Sequence, residues 1–193
     1  MVHILEIKDF AKENNIPIMQ DGGMDFICNY IKENNIKSIL EIGSAIGYSA
    51  IRFASINEDI TITTIERDKE RYEEAVKNIK NESLDNRITI YNADALEFST
   101  DDKFDLIFID AAKSQYIKFF EKYKINLNEN GVIVSDNLSF HGFVEHPELT
   151  HNRNTRQLVG KIRRYINFLK DNSEFTTTFY NVGDGVSVSK KND

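Results

Sequence analysis

Glu41-Ile42-Gly43-Ser44-Ala45-Ile46-Gly47-Tyr48-Ser49 is the stretch whose reading decides the fold. It continues the apolar run Ser38-Ile39-Leu40, so a buried strand passes through a glycine-containing loop into a helix over about 47–56. Glycines at such a junction let the backbone come close to a ligand, as at the crevice of an open α/β sheet. The dinucleotide fingerprint asks for glycine at its first, third and sixth positions. Counted from Gly43, this chain has Ala45 and Tyr48 at the later two. The Gly-Lys-Ser/Thr ending of a phosphate-binding loop is also missing, so both diphosphate readings weaken and a nucleoside without a diphosphate gains.

Outward from this loop, short β-branched runs alternate with amphipathic stretches, the pattern of an α/β domain with a mostly parallel sheet. Helices are expected at 3–14 and 23–34 before the loop. After it come a strand at 60–65, a helix at 68–81, a strand at 87–91, a short helix near 94–99, a strand at 105–109 and a helix at 114–124. Gly131–Ser135 forms the fifth strand, 136–153 lacks periodicity and reads as an active-site loop, and a long helix follows over 154–171. Phe175–Tyr180 and Val186–Ser189 flank a Gly183-Asp184-Gly185 turn and predict a terminal antiparallel hairpin. The 193 residues suit one core, so residues 1–193 are expected to form a single domain with an N-terminal helical segment.

Composition narrows the function classes. No run approaches the roughly 20 apolar residues of a membrane span, and Met1–Glu6 has neither the basic region nor the apolar stretch of a secretion signal. Cys28 is the lone cysteine, which suits a reducing cytoplasm. A net charge of -7 counts against a broad nucleic-acid surface. Charge is nevertheless segregated: residues 151–170 hold Arg153, Arg156, Lys161, Arg163, Arg164 and Lys170 and no acid. They form either a local basic face or a solvated helix balancing acids elsewhere.

Acids mark the ends of the expected strands. Glu66 lies 19 residues beyond Gly47, where a carboxylate accepts both ribose hydroxyls. Glu41 is placed to help hold the cationic amino-acid end of a methionine-derived nucleoside, and Asp94-Ala95 to meet adenine. The other reading makes Glu66 and Asp94 helix caps. Asp110, Asp136 and Asn137 follow two later strands and offer three hard oxygen ligands of the kind Mg²⁺ takes. No cysteine–histidine cluster supports zinc, and His141, His146 and His151 read as surface or substrate-contact residues. Lys113, just past Asp110, is placed to take the proton of a hydroxyl that then displaces a methyl group. Its alternative role is to neutralise Asp110.

With these landmarks in order, the chain resembles the metal-dependent O-methyltransferases related to catechol and caffeoyl-CoA O-methyltransferases. The resemblance runs through Ile39–Ser49, Ile65-Glu66, Asp94-Ala95, Asp110–Lys113, Ser135–Asn137 and Gly183–Gly185. It implies a Rossmann-like seven-stranded class I methyltransferase sheet with helices on both faces and an antiparallel terminal strand. It implies S-adenosylmethionine at Met24, Glu41, Gly43, Ser49, Glu66, Asp94, Ala95 and Asp110, and Mg²⁺ at Asp110, Asp136 and Asn137. It also implies Lys113 and Asp110 as catalytic residues, and a homodimer. Asn15–Met19, Arg153–Arg156 and the basic helix are similar to bacterial tRNA 5-hydroxyuridine methyltransferases. That similarity implies the tRNA anticodon as partner, with Arg153, Arg156, Lys161, Arg163 and Arg164 as phosphate contacts. The same residues also read as supports of the 136–153 loop or of a dimer interface, and a catechol-like small molecule is the alternative acceptor.

Overall fold

The computed structural model describes residues 2–192, apart from the side chains of Val2, His3 and Pro147. Strands β1 (Ser38–Ile42) and β4 (Phe104–Ile109) bury side chains that point to both sides. Alternating residues of a strand face opposite ways, so helices must cover both faces of such a sheet. The parallel core is β1 between β2 (Thr61–Glu66) and β4, with β3 (Ile88–Asn92) beyond β2 and β5 (Leu127–Ser135) beyond β4. β7 (Val186–Lys191) pairs antiparallel with both β5 and β6 (Phe175–Tyr180), giving a seven-stranded sheet of order β3-β2-β1-β4-β5-β7-β6. This is the Rossmann-like class I methyltransferase architecture expected from the sequence. The chain reverses its direction of spread between β1 and β4, which opens a crevice at their carboxyl ends.

One face carries α1 (Val2–Glu13), α2 (Asp21–Glu33), α3 (Tyr48–Ala54) and α4 (Lys69–Asn81). Their Ile7, Ile27, Phe53 and Ile79 pack with Ile39, Ile62, Phe108 and Val134 of the strands. The other carries α5 (Tyr116–Tyr123) and α6 (Arg153–Lys170), whose inward stripes are Tyr116, Phe119, Phe120 and Tyr123, and Val159, Ile162, Tyr165 and Leu169. Those positions recur at helical spacing, so each helix presents one apolar stripe to the sheet. Edge-on aromatic contacts tie the layer together: the Phe120 ring lies 5.3 Å from Phe168 and 5.0 Å from Phe175.

Several expected boundaries shift for identifiable reasons. No helix forms at 94–99; the Asp94 carboxylate accepts the Leu96 N–H at 2.8 Å and bends the chain into a turn instead. β5 begins at Leu127 rather than at Gly131, with a register irregularity opposite Phe104–Leu106 that hides its polar first half from the pattern. A short 3₁₀ turn, Lys113–Gln115, precedes α5. The 136–152 segment is irregular apart from a 3₁₀ turn at Pro147–Leu149. Among the described residues, no helix is long and apolar enough to cross a membrane.

Candidate active site

A cavity of about 720 Å³ opens at the carboxyl ends of β1, β2 and β4. Its floor is the β1–α3 loop. Gly43 has φ +97°, and a Cβ there would stand 2.3 Å from the Asp110 carbonyl oxygen, so only glycine lets the loop press against the end of β4. The Gly43 and Ser44 N–H groups donate to the Ile65 carbonyl at 3.0 and 3.3 Å, fixing the loop to β2 as well.

Glu66 lines the cavity with its carboxylate held at two points, by the Ala45 N–H at 2.8 Å and the Asp68 N–H at 2.7 Å. Asp94 also lines it. One carboxylate oxygen makes the Leu96 turn and the other lies 3.6 Å from the Arg67 guanidinium, so Asp94 serves locally as a turn residue. Ala95 is fixed through its carbonyl, which accepts the Tyr123 hydroxyl at 2.6 Å.

Glu41 and Met24 are placed differently from the rest. Both are fully buried behind the wall rather than on it. Met24 belongs to the packing of α2. The Glu41 carboxylate accepts the Ser49 hydroxyl and, at 2.5 Å, the Thr64 hydroxyl. Burial pushes its pKa up to about 7; the two hydroxyls pull it down, and the charges of Asp110 and Glu66 add to the rise. Ser49 itself lines the cavity, so Glu41 reaches a ligand through that hydroxyl.

At the other end of the cavity, Asp110, Lys113 and Asn137 line the wall and Asp136 lies just behind it. Asn137 is left-handed at φ +68°, and its amide donates to the Asp136 carboxylate at 3.2 Å. Asp136 is 1% exposed, and its Oδ1 has no hydrogen-bond partner. Burial, then the Asp110 and Asp184 charges, push Asp136 up to about 7 against the pull of the Asn137 backbone N–H and of Lys113. Burial likewise raises Asp110, opposed by Lys113 and Asn137. The Lys113 ammonium stands over the Phe140 ring, 5.5 Å from its centre.

His141, His146 and His151 stay at the surface. His141 Nδ1 is 3.4 Å from Asp184, His146 bonds Glu148 at 3.1 Å and His151 meets Arg156 at 3.5 Å. The basic residues of α6 are all exposed, but two are spent on the loop. Arg156 donates to the Thr150 carbonyl at 2.9 Å, and Arg163 donates twice to the Val144 carbonyl, at 2.6 and 3.1 Å. Arg156 and Arg163 thus tie α6 to the loop, in line with the loop-supporting alternative read for them in the sequence. Sequence reasoning passed over Thr64, Phe140 and Arg67 as site residues, and it took Asn15–Met19 only as a family landmark, whereas Pro17, Ile18 and Met19 form a lip of the cavity.

Among the described residues, no group of three or more His, Cys, Asp or Glu side chains could hold a metal ion. The expectation of a metal-binding protein is corrected to that extent, leaving two carboxylates and an amide.

The family model described as O-methyltransferase matches residues 3–192. An Arabidopsis thaliana protein provisionally named a caffeoyl-CoA O-methyltransferase is 31% identical over 191 residues, which span 96% of this chain and 82% of that protein. A Vitis vinifera flavonoid 3',5'-methyltransferase is 26% identical over 190 residues, 92% of this chain and 78% of its own length. A crystal structure of a Staphylococcus aureus protein, also provisionally named a caffeoyl-CoA O-methyltransferase, superposes with a TM-score of 0.93 at 41% identity. That match covers 98% of this chain and 92% of the other. These relatives are named for caffeoyl-CoA and flavonoids. That finding overturns the expected kinship with tRNA 5-hydroxyuridine methyltransferases, the tRNA anticodon as partner and 5-methoxyuridine as product.

Proposed function

This chain belongs to the O-methyltransferase family and is an S-adenosylmethionine-dependent O-methyltransferase, and we propose that its acceptor is a small phenolic compound with neighbouring hydroxyls. The names of its relatives support that substrate class. The observation that carries the reading is Lys113 on the cavity wall beside Asp110 and Asn137, at the opposite end from Glu66 and Asp94.

In this reading Glu66 accepts the ribose hydroxyls and the Asp94-Ala95 turn faces adenine. Ser49, polarised by Glu41, meets the ammonium of the methionine end. Gly43 keeps the floor low enough for the sulfonium to lie beside Asp110. At the acceptor end Lys113, as general base, takes the hydroxyl proton. The freed oxygen attacks the methyl carbon in line as the carbon–sulfur bond breaks, leaving a neutral thioether. Holding both reactants on one rigid sheet edge supplies the orientation such a displacement needs.

We further propose that Asp110, Asp136 and Asn137 hold Mg²⁺. The unpartnered, buried Oδ1 of Asp136, and the raised carboxyls beside it, fit a group that brings positive charge. Bound there, the ion would make an acceptor hydroxyl easier to ionise. The whole chain acts as one domain in this scheme.

The test is transfer of labelled methyl from S-adenosylmethionine to a panel of catechols, hydroxycinnamoyl esters and flavonols, each with its monophenol control, with and without a chelator. Transfer to neighbouring hydroxyls but not to monophenols is expected, with activity lost to the chelator and restored by Mg²⁺. Equal transfer to monophenols would sink the acceptor class, and full activity in chelator would sink the metal.

A further inference from the structure

The Gly183-Asp184-Gly185 turn does more than join β6 to β7. It is wedged between two parts of the site. A Cβ on Gly183 would meet the Gly23 nitrogen at 2.8 Å, and a Cβ on Gly185 would meet the Ser139 nitrogen at 2.7 Å. Both glycines have positive φ. The turn therefore touches the start of α2 on one side and the 137–144 loop on the other, with no room for side chains between.

Asp184 is the residue this wedge presents, and it is 5% exposed. Its Oδ1 accepts the His141 N–H at 2.5 Å, its carbonyl accepts the Ser139 N–H at 2.7 Å, and the Gly185 carbonyl accepts the Leu138 N–H at 3.0 Å. The segment so held is strained. Asn137, Phe140 and His141 all lie in the left-handed region, at φ +68°, +48° and +57°. Such a conformation in a non-glycine residue persists only where its surroundings fix it. Phe140 carries the ring that lies against Lys113, and the Asn137 amide donates to the Asp136 carboxylate.

We propose that Asp184 is the positioning residue of the acceptor side: by accepting the His141 N–H it holds the strained loop so that Phe140 and Asn137 stand at Lys113. The proposal rests on Lys113 marking the acceptor end. The hydrogen bonds of Asp184 run to Ser139 and His141 of this loop, so its loss is expected to act on the acceptor rather than on the cofactor.

The test compares Asp184→Ala with Asp184→Asn, which keeps an oxygen at Oδ1. Limited proteolysis within 137–146 and the affinity for S-adenosylhomocysteine are read on both, and KM and kcat on whichever acceptor the panel yields. For Asp184→Ala, loop cleavage is expected to speed up at least tenfold and acceptor KM to rise at least tenfold. Cofactor affinity should stay within twofold. Asp184→Asn should restore cleavage and KM to within about threefold of the parent. Equal damage from both variants, or a parallel loss of cofactor affinity, would overturn the proposal. Hydrogen exchange in the unsubstituted protein gives an arm that needs no variant to fold: the His141 amide should exchange at least a hundredfold more slowly than that of exposed Glu145, and fast exchange there overturns the proposal. An acceptor panel that yields nothing strikes the function reading, while proteolysis and exchange still decide the role of Asp184.

Discussion

Replacing Glu41 by glutamine should make the empty protein more stable at pH 8 while weakening its grip on the cofactor. The Glu41 carboxyl is fully buried, and its pKa rises from an ordinary 4.5 to about 7. A carboxyl raised by folding supports the fold when protonated. That support is whole below the ordinary value and is lost as pH climbs through about 7. The difference between 4.5 and about 7 corresponds to about 3 kcal/mol at pH 8. Glutamine has nearly the same shape and can accept from one of Ser49 and Thr64 while donating to the other, so it avoids the burial of charge. Urea unfolding of the apo protein should then show the Gln variant level with the parent at pH 5 and about 2–3 kcal/mol more stable at pH 8, or roughly 5–10 °C in Tm. The opposite sign is expected for binding. The Glu41 charge reaches the cofactor ammonium through the Ser49 hydroxyl, and a hydrogen bond strengthened by charge contributes about 1.5–3 kcal/mol, so affinity for S-adenosylmethionine should fall roughly 10- to 100-fold. A variant that is less stable than the parent at pH 8, or that binds the cofactor unchanged, would refute the argument.

Lys113→Met should lower kcat by about 10²–10⁴ with S-adenosylhomocysteine affinity unchanged, as stopped methyl-transfer assays and calorimetry would show. Gly43→Ala places a methyl 2.3 Å from the Asp110 carbonyl at φ +97°, so cofactor binding should be lost and Tm should drop by several degrees in a melting scan. Tyr165→Phe removes the 2.7 Å bond to the buried Ser135 hydroxyl. Denaturant unfolding should register a loss of about 1–3 kcal/mol, with KM for the cofactor unmoved.

The cavity's floor was legible in the sequence because it is local. Gly43 and Glu66 stand at the ends of β1 and β2, whose apolar runs announce them, Ser49 opens α3 just beyond the loop, and β1 and β6 fall at the expected residues. For Glu41 the sequence left open a direct or an indirect part, since nothing in a sequence says whether a strand residue lines a wall or stands behind it; the structure puts it behind Ser49. The hidden features are long-range bonds between a side chain and a distant backbone. Arg163 to Val144 and Asp184 to His141 leave no periodicity, so a basic stripe looked like an anion surface and a glycine-rich turn looked like a simple hairpin. The 94–99 segment misled for the reverse reason: its apolar spacing fits a helix, and one carboxylate–amide bond at Asp94 outcompetes it.

The position of β7 has a consequence for the order in which the molecule is completed. β7 follows β6 in the chain but inserts between β6 and β5, pairing through Val132–Ser135. During synthesis the parallel strands can associate early, yet β5 keeps an open edge until residues 186–191 have emerged. Asp184 arrives with that last strand, and its carboxylate then fastens the loop after Asn137. The crevice at the carboxyl ends of β1, β2 and β4 can therefore form on the nascent chain before the loop after Asn137 has its frame.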